Sequence, residues 1–138
     1  MGKAFLSELT DGEIDRFYPH ERLLRRTPKT IPTKTELKKQ MEQIRKNGVS
    51  FTREEGSEGM EGIASLIRDH SGKAVAAMSF HLPVFKANHS VRRNLTGLIK
   101  RACSLVSYRL GYRDTKDSVH ELPQIRSWWE EIHSAPGK

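Results

Sequence analysis

The stretch MEGIASLIRDHSGKAVAAMSFHLP, residues 60–83, decides the fold. Its first part alternates with the period of a strand: Met60, Gly62, Ala64 and Leu66 point one way, Ile63, Ser65 and Ile67 the other. Both sets are largely apolar, so both faces are expected to be covered. Asp69-His70-Ser71-Gly72 carries the turn chemistry of a hairpin. The return strand places Ala74, Ala76, Met78 and Phe80 on one face and Val75, Ala77, Ser79 and His81 on the other, and Pro83 closes it.

Upstream, Val49 and Phe51 alternate with Ser50 and Thr52 as a third half-buried strand, and residues 53–59, polar and glycine-containing, read as a mobile loop. Downstream, a helix capped by Asn88 or Ser90 carries Val91, Leu95, Leu98, Ile99, Ala102, Leu105, Val106 and Leu110 in one stripe. Gly111 stands where a left-handed C-terminal residue belongs. An open strand, a hairpin and a covering helix make the layout of a ligand-sensing sheet domain, not of an enzyme.

The first half of the chain reads as helical. Ala4, Phe5, Leu6 and Leu9 fall at helical spacing, Thr10 and Glu13 form a capping box, and Ile14, Phe17 and Tyr18 make one stripe before Pro19 ends the helix. Leu23 and Leu24 are expected to anchor the mixed stretch after it. Residues 27–32, with Pro28 and Pro32, form an extended connector. Thr33 and Glu36 make a second capping box for a helix over 34–47 with Leu37, Met41 and Ile44 inward, stopped by Asn47-Gly48. Beyond Gly111 the composition changes. Within 122–133, Pro123 sits at a helix start and Ile125, Trp128, Trp129 and Ile132 share a face, either as a docking element or folded back on the domain.

A chain of 138 residues with 36% hydrophobic and 30% charged content is sized for one soluble globular domain. It has no run of 18 or more apolar residues and no secretory leader pattern, so a cytoplasmic location without membrane contact is expected. The lone Cys103 excludes an internal disulfide and a cysteine-based zinc site. Net charge is +7, unevenly spread: residues 22–46 hold nine Lys/Arg against Glu36 and Glu42, and residues 86–113 hold seven with no acid. Such clusters attract nucleic acid or acidic partners. A solvated helix face is the preferred reading, because no aromatic residues are interleaved as single-strand binders require.

No catalytic constellation emerges. Cys103 lies on the apolar side of its helix, where packing is the ordinary role. Six histidines are scattered without ligand spacing, so neither a metal nor a cofactor is expected. Gly56, Gly59 and Gly62 precede a strand, unlike a phosphate-binding loop. A polar trio remains on the sheet, Thr52, Ser79 and His81, with Gly62 and Ala77 leaving space beside it. Few polar groups in an apolar wall make a small-ligand recess; satisfied sheet residues are the plainer alternative.

These residues carry a pattern. Residues 2–6 (GKAFL), 26–31 (RTPKTI), 44–51 (IRKNGVSF), Glu54-Glu55 with Gly59-Met60, Ile63-Ala64 and Ala76-Ala77-Met78-Ser79 together resemble the C-terminal effector-binding domain of IclR-type bacterial transcription regulators, in colinear order over residues 2–111. The resemblance implies an α+β, GAF-like fold: an antiparallel sheet covered by helices on both faces, its N-terminal strands absent here. It divides the chain into a partial effector-binding domain, 1–111, and a C-terminal extension, 112–138. It also implies a small organic acid or aromatic metabolite as effector, a homo-oligomer (dimer or tetramer), and DNA contact only through a winged helix-turn-helix domain missing from this sequence. The positions implied to hold the effector are Thr52, Met60, Gly62, Ser79 and His81. Ser79 keeps the family's chemistry, whereas Thr52 stands for a carboxylate, Gly62 for a larger side chain and His81 for a small hydroxyl. The alternatives are a truncated, ligand-unresponsive fragment acting only through association, and a non-specific basic nucleic-acid-binding module.

Overall fold

The computed structural model describes residues 1–113; the amphipathic stretch 122–133 lies outside the described residues. Three short helical pieces come first: α1 (Gly2–Leu6), α2 (Asp11–Phe17) and α3 (Lys34–Asn47). The sheet follows as β1 (Ser50–Arg53), β2 (Met60–Arg68) and β3 (Ala74–Pro83), then a single 3-10 turn and the long α4 (His89–Arg109). The strands stand in the order β1-β2-β3, all antiparallel.

Local chemistry sets the boundaries. The Thr10 capping box is complete: its hydroxyl accepts from Glu13 N, and Glu13 Oε2 accepts from Thr10 N at 2.7 Å. The second box is half formed. Thr33 Oγ1 accepts from Glu36 N at 3.2 Å, but the adjoining donor, Thr35 N, goes to Glu21 Oε1 at 3.1 Å. Asn88, not Ser90, caps α4 by accepting from Val91 N at 2.9 Å. Gly48 and Gly111, at φ +69° and +88°, end α3 and α4 in the left-handed region.

Two apolar clusters form. The helical one gathers Ile14, Ile31, Leu37, Met41 and Ile44; the sheet one gathers Val49, Ile63, Ile67, Ile99 and Cys103. Strand β2 is buried continuously from Glu61 to Ser65, so both of its faces are covered as its apolar alternation requires. Glu61 points to the α4 side, where Arg92 pairs with it through two bonds of 2.5 and 2.9 Å.

Three local expectations are corrected. Phe17, the last residue of α2, does not share the buried stripe of Ile14, being 69% exposed, whereas Tyr18 packs against the helical cluster. Leu24 is 92% exposed, and Leu23 alone anchors that stretch. Residues 53–59 are not a free loop: the hydroxyls of Thr27 and Thr30 donate to the carbonyls of Glu54 and Glu55, each at 2.6 Å. Glu55 also pairs with Lys3 at 2.7 Å, and Glu54 with Lys29.

Candidate functional site

Register carries three of the sequence-derived residues into one row across the sheet. Thr52 of β1 is opposite Gly62 of β2, which is opposite His81 of β3. The next row along is Ser50, Ala64 and Ser79. Strand alternation puts these side chains on the face away from α4, and within β3 it brings Ser79 Oγ to 3.3 Å from His81 Nε2.

Gly62 is what lets the row close. A methyl group there would lie 2.6 Å from Thr52 Oγ1 and 3.3 to 3.4 Å from the His81 ring. The space expected beside Gly62 is thus not open: a hydroxyl and an imidazole occupy it from both sides, because the register sets Thr52 and His81 against the glycine. Thr52 is half-buried and its hydroxyl reaches only a long bond, 3.4 Å, to the Gly62 carbonyl. His81 is exposed and Ser79 half-buried. Met60 shares their parity at the mouth of β2 and is 38% exposed. All five sequence-derived residues therefore lie on one face, with Thr52, Gly62, Ser79 and His81 in mutual contact range or adjacent rows and Met60 at the rim.

Chemically this is a shelf of two hydroxyls and one imidazole around a glycine backbone, suited to oxygen-rich small ligands. The five residues include no carboxylate. Among the described residues no cluster of three or more His, Cys, Asp or Glu is placed to hold a metal ion. Cys103 is buried against the Ser65 carbonyl at 3.5 Å, and burial pushes its thiol above the ordinary range, the opposite of an activated nucleophile.

The sequence reading missed a second feature. A hollow of about 450 Å³ lies among Lys3, Phe17, Tyr18, Leu23, Thr30 and Glu55 and includes none of the five site residues. Lys3 sits in its wall with Nζ bonded to Gln40 and Glu55, both at 2.7 Å. Burial lowers the Lys3 pKa from the usual lysine range, against the opposing pull of Glu55. The available signal was Thr27 and Thr30 around Pro28, side chains able to bind backbone two to four residues away and beyond.

Comparison with known proteins identifies the family of the fold. Residues 1–108 match the family described as bacterial transcriptional regulator IclR, C-terminal. The chain is 32% identical over 112 residues to the transcriptional repressor AllR of Salmonella paratyphi A, covering 81% of this chain and 41% of AllR. Among solved structures, the repressor BlcR of Agobacterium tumefaciens superposes with a TM-score of 0.76 at 27% identity, over 82% of this chain and 45% of BlcR. The C-terminal domain of Escherichia coli KdgR gives a TM-score of 0.72 at 25% identity, over 81% of this chain and 68% of that domain. The chain spans about two-fifths of the length of its curated relatives, which are repressors and regulators rather than enzymes. With helices on both sides of an antiparallel sheet and a match over nearly all described residues, the chain belongs to the IclR family of bacterial transcriptional regulators, as the C-terminal part of the effector-binding domain.

Proposed function

We propose that residues 1–111 form the ligand-sensing part of an IclR-type regulator, non-enzymatic, with residues 112–138 as a C-terminal extension. Its effector is a small organic acid or aromatic metabolite seated on Thr52, Gly62, Ser79 and His81, with Met60 at the rim. In the parent regulator the bound state would set the DNA affinity of a winged helix-turn-helix domain, and the domain would act as a dimer or tetramer.

The observation that carries the reading is the Gly62 row. A glycine at the one position where a methyl group would strike Thr52 Oγ1 at 2.6 Å lets two strands bring polar side chains together over bare backbone. Hydroxyls and an imidazole supply hydrogen bonds to a carboxylate without adding a competing negative charge.

The test is thermal unfolding of the 138-residue chain against a panel of small aliphatic and aromatic carboxylates. A ligand that binds only the folded state raises the melting temperature with concentration. One or more members should do so in the parent and fail to do so in Ser79→Ala combined with His81→Ala. No shift from any member at millimolar concentration would count against a working site.

A further inference from the structure

The hollow beside Lys3 opens into the helical cluster. Its inner wall is the edge of that core: Ile31 and Leu37 are buried members, and Leu6, Tyr18 and Leu23 pack against them. Its outer lip is the segment after α2, which is tied in place by backbone bonds. Leu23 N donates to the Pro32 carbonyl at 2.9 Å and Lys34 N to the Glu21 carbonyl at 2.8 Å, so Arg22 and Thr33 stand opposite each other as an antiparallel bridge. On this fixed frame Phe17 and Leu24, both largely exposed, hold apolar side chains at the rim.

Charge at the hollow is unbalanced. Among the described residues its only acid is Glu55, which Lys3 already engages at 2.7 Å. His20 and Arg22 also line it, and their exposed side chains make no hydrogen bond or ion pair among the described residues. Arg22 therefore keeps a permanent positive charge and its paired donors unspent beside aliphatic and aromatic walls. A guanidinium in that position matches a carboxylate. A neutral apolar molecule would leave Arg22 unused, and a sugar or inorganic phosphate would face Phe17, Leu23 and Leu24 with nothing to bond. At about 450 Å³ the hollow lies within the range of small-molecule sites, about 300–1,000 Å³.

We propose that this hollow is a ligand site separate from the Thr52–His81 face, and that it takes an aromatic carboxylate. The ring lies against Phe17, Leu23 and Leu24, and the carboxylate pairs with Arg22. The site needs neither Ser79 nor His81, so it stands or falls independently of the sheet-face reading.

The test uses 2-naphthoate as probe and 2-naphthamide as its uncharged match, each titrated into the isotope-labelled 138-residue chain by nuclear magnetic resonance. Naphthoate ring protons should show nuclear Overhauser contacts to the Leu23 and Leu24 methyl groups, and the amide should bind about five- to ten-fold more weakly. Arg22→Gln should weaken naphthoate by a similar factor and Phe17→Ala several-fold. Both side chains are exposed, so neither change should lower the melting temperature of the free chain. Ser79→Ala combined with His81→Ala should leave binding at the hollow unchanged. Absence of binding at millimolar naphthoate overturns the proposal. So do ring contacts confined to Thr52 and Ser79, equal affinity for the amide, or full affinity in Arg22→Gln. Leu23 and Leu24 signals that move with protein concentration in the free chain would give the hollow to a second copy, which also overturns it.

Discussion

Gly62 sets the dimensions of the candidate site because it is the only position in its row without a side chain to place. A methyl group there would meet Thr52 Oγ1 at 2.6 Å, far inside contact distance, while the His81 ring at 3.3 to 3.4 Å would give by a few tenths of an ångström. Gly62→Ala is therefore expected to destabilise the chain by about 1–3 kcal/mol through overpacking on a strand buried on both faces. Thr52→Ala removes the struck hydroxyl, so the double variant should recover most of that loss. A double-mutant cycle from urea unfolding measures it, and additive losses would mean that the strain lies in the backbone and not between these two side chains. The same residue shows why the site was partly legible before the fold was known. Strand parity put Ser79 and His81 on one face of their own strand; the cross-strand register that joins Gly62 to that face and brings Thr52 and His81 to opposite sides of one glycine is a tertiary fact that no local pattern carries.

At the scale of elements, carboxylates at or near the surface hold turns and caps in their ionised form. Glu13 is held below the usual glutamate range first by the Thr10 backbone N–H and then by the Thr10 hydroxyl, and Asp69 below the aspartate range first by the Ser71 hydroxyl. Asp15 is lowered by Lys38 and Lys34, and Glu54 by Lys29 and the Gly59 N–H. Folded values depressed below the ordinary values of about 3.9 and 4.3 mean that the unfolded chain binds more protons in acid. This contribution is present above that range and is lost as pH falls through the folded values. Urea midpoints should thus be flat above about pH 5 and decline below it, and Glu13→Gln, which keeps the capping geometry but not the charge, should decline less steeply. Equal slopes would show that the α2 cap is not among the responsible groups. Such caps were readable because both partners lie three residues apart. Glu61 was not: its strand parity put a charge among Ile63, Ser65 and Ile67, and its partner Arg92 is supplied by a helix 31 positions away. Residues 53–59 misled for the same reason, their composition being that of a loop and their restraints coming from Thr27 and Thr30.

Taken as a whole, the molecule is two apolar clusters joined by a short polar seam. The helical cluster and the sheet cluster share no residue; the loop from β1 to β2 is one place where they are stitched, and the two-bond pair of Arg68 on β2 with Glu8 after α1 is another. Thr27 and Thr30 bind the loop's carbonyls, Lys29 pairs with Glu54, and Lys3 with Glu55. The two ends of that loop adjoin Thr52 and Met60, so the seam runs from the helical layer to the candidate site. Replacing both threonines by valine preserves shape but removes two donors to the loop carbonyls and also the acceptors of the Arg26, Thr27 and Lys29 N–H groups within the turn, at about 1–3 kcal/mol for each buried group left to find water. Hydrogen exchange then reads the consequence. The amides of Glu54, Gly59 and Met60, bonded within the loop at 2.7, 3.0 and 3.4 Å, should lose protection in Thr27→Val/Thr30→Val, while those of β2 and β3 keep theirs. A ligand on the Thr52–His81 face should raise protection at the residue-30 amide, whose bond to the residue-27 carbonyl survives both substitutions, in the parent but not in the double variant, because the hydroxyl links from loop to turn are gone. If that response persists without the threonines, the coupling between site and helical layer runs through α1 and the Lys3–Glu55 pair instead, and Lys3→Met becomes the substitution that should abolish it.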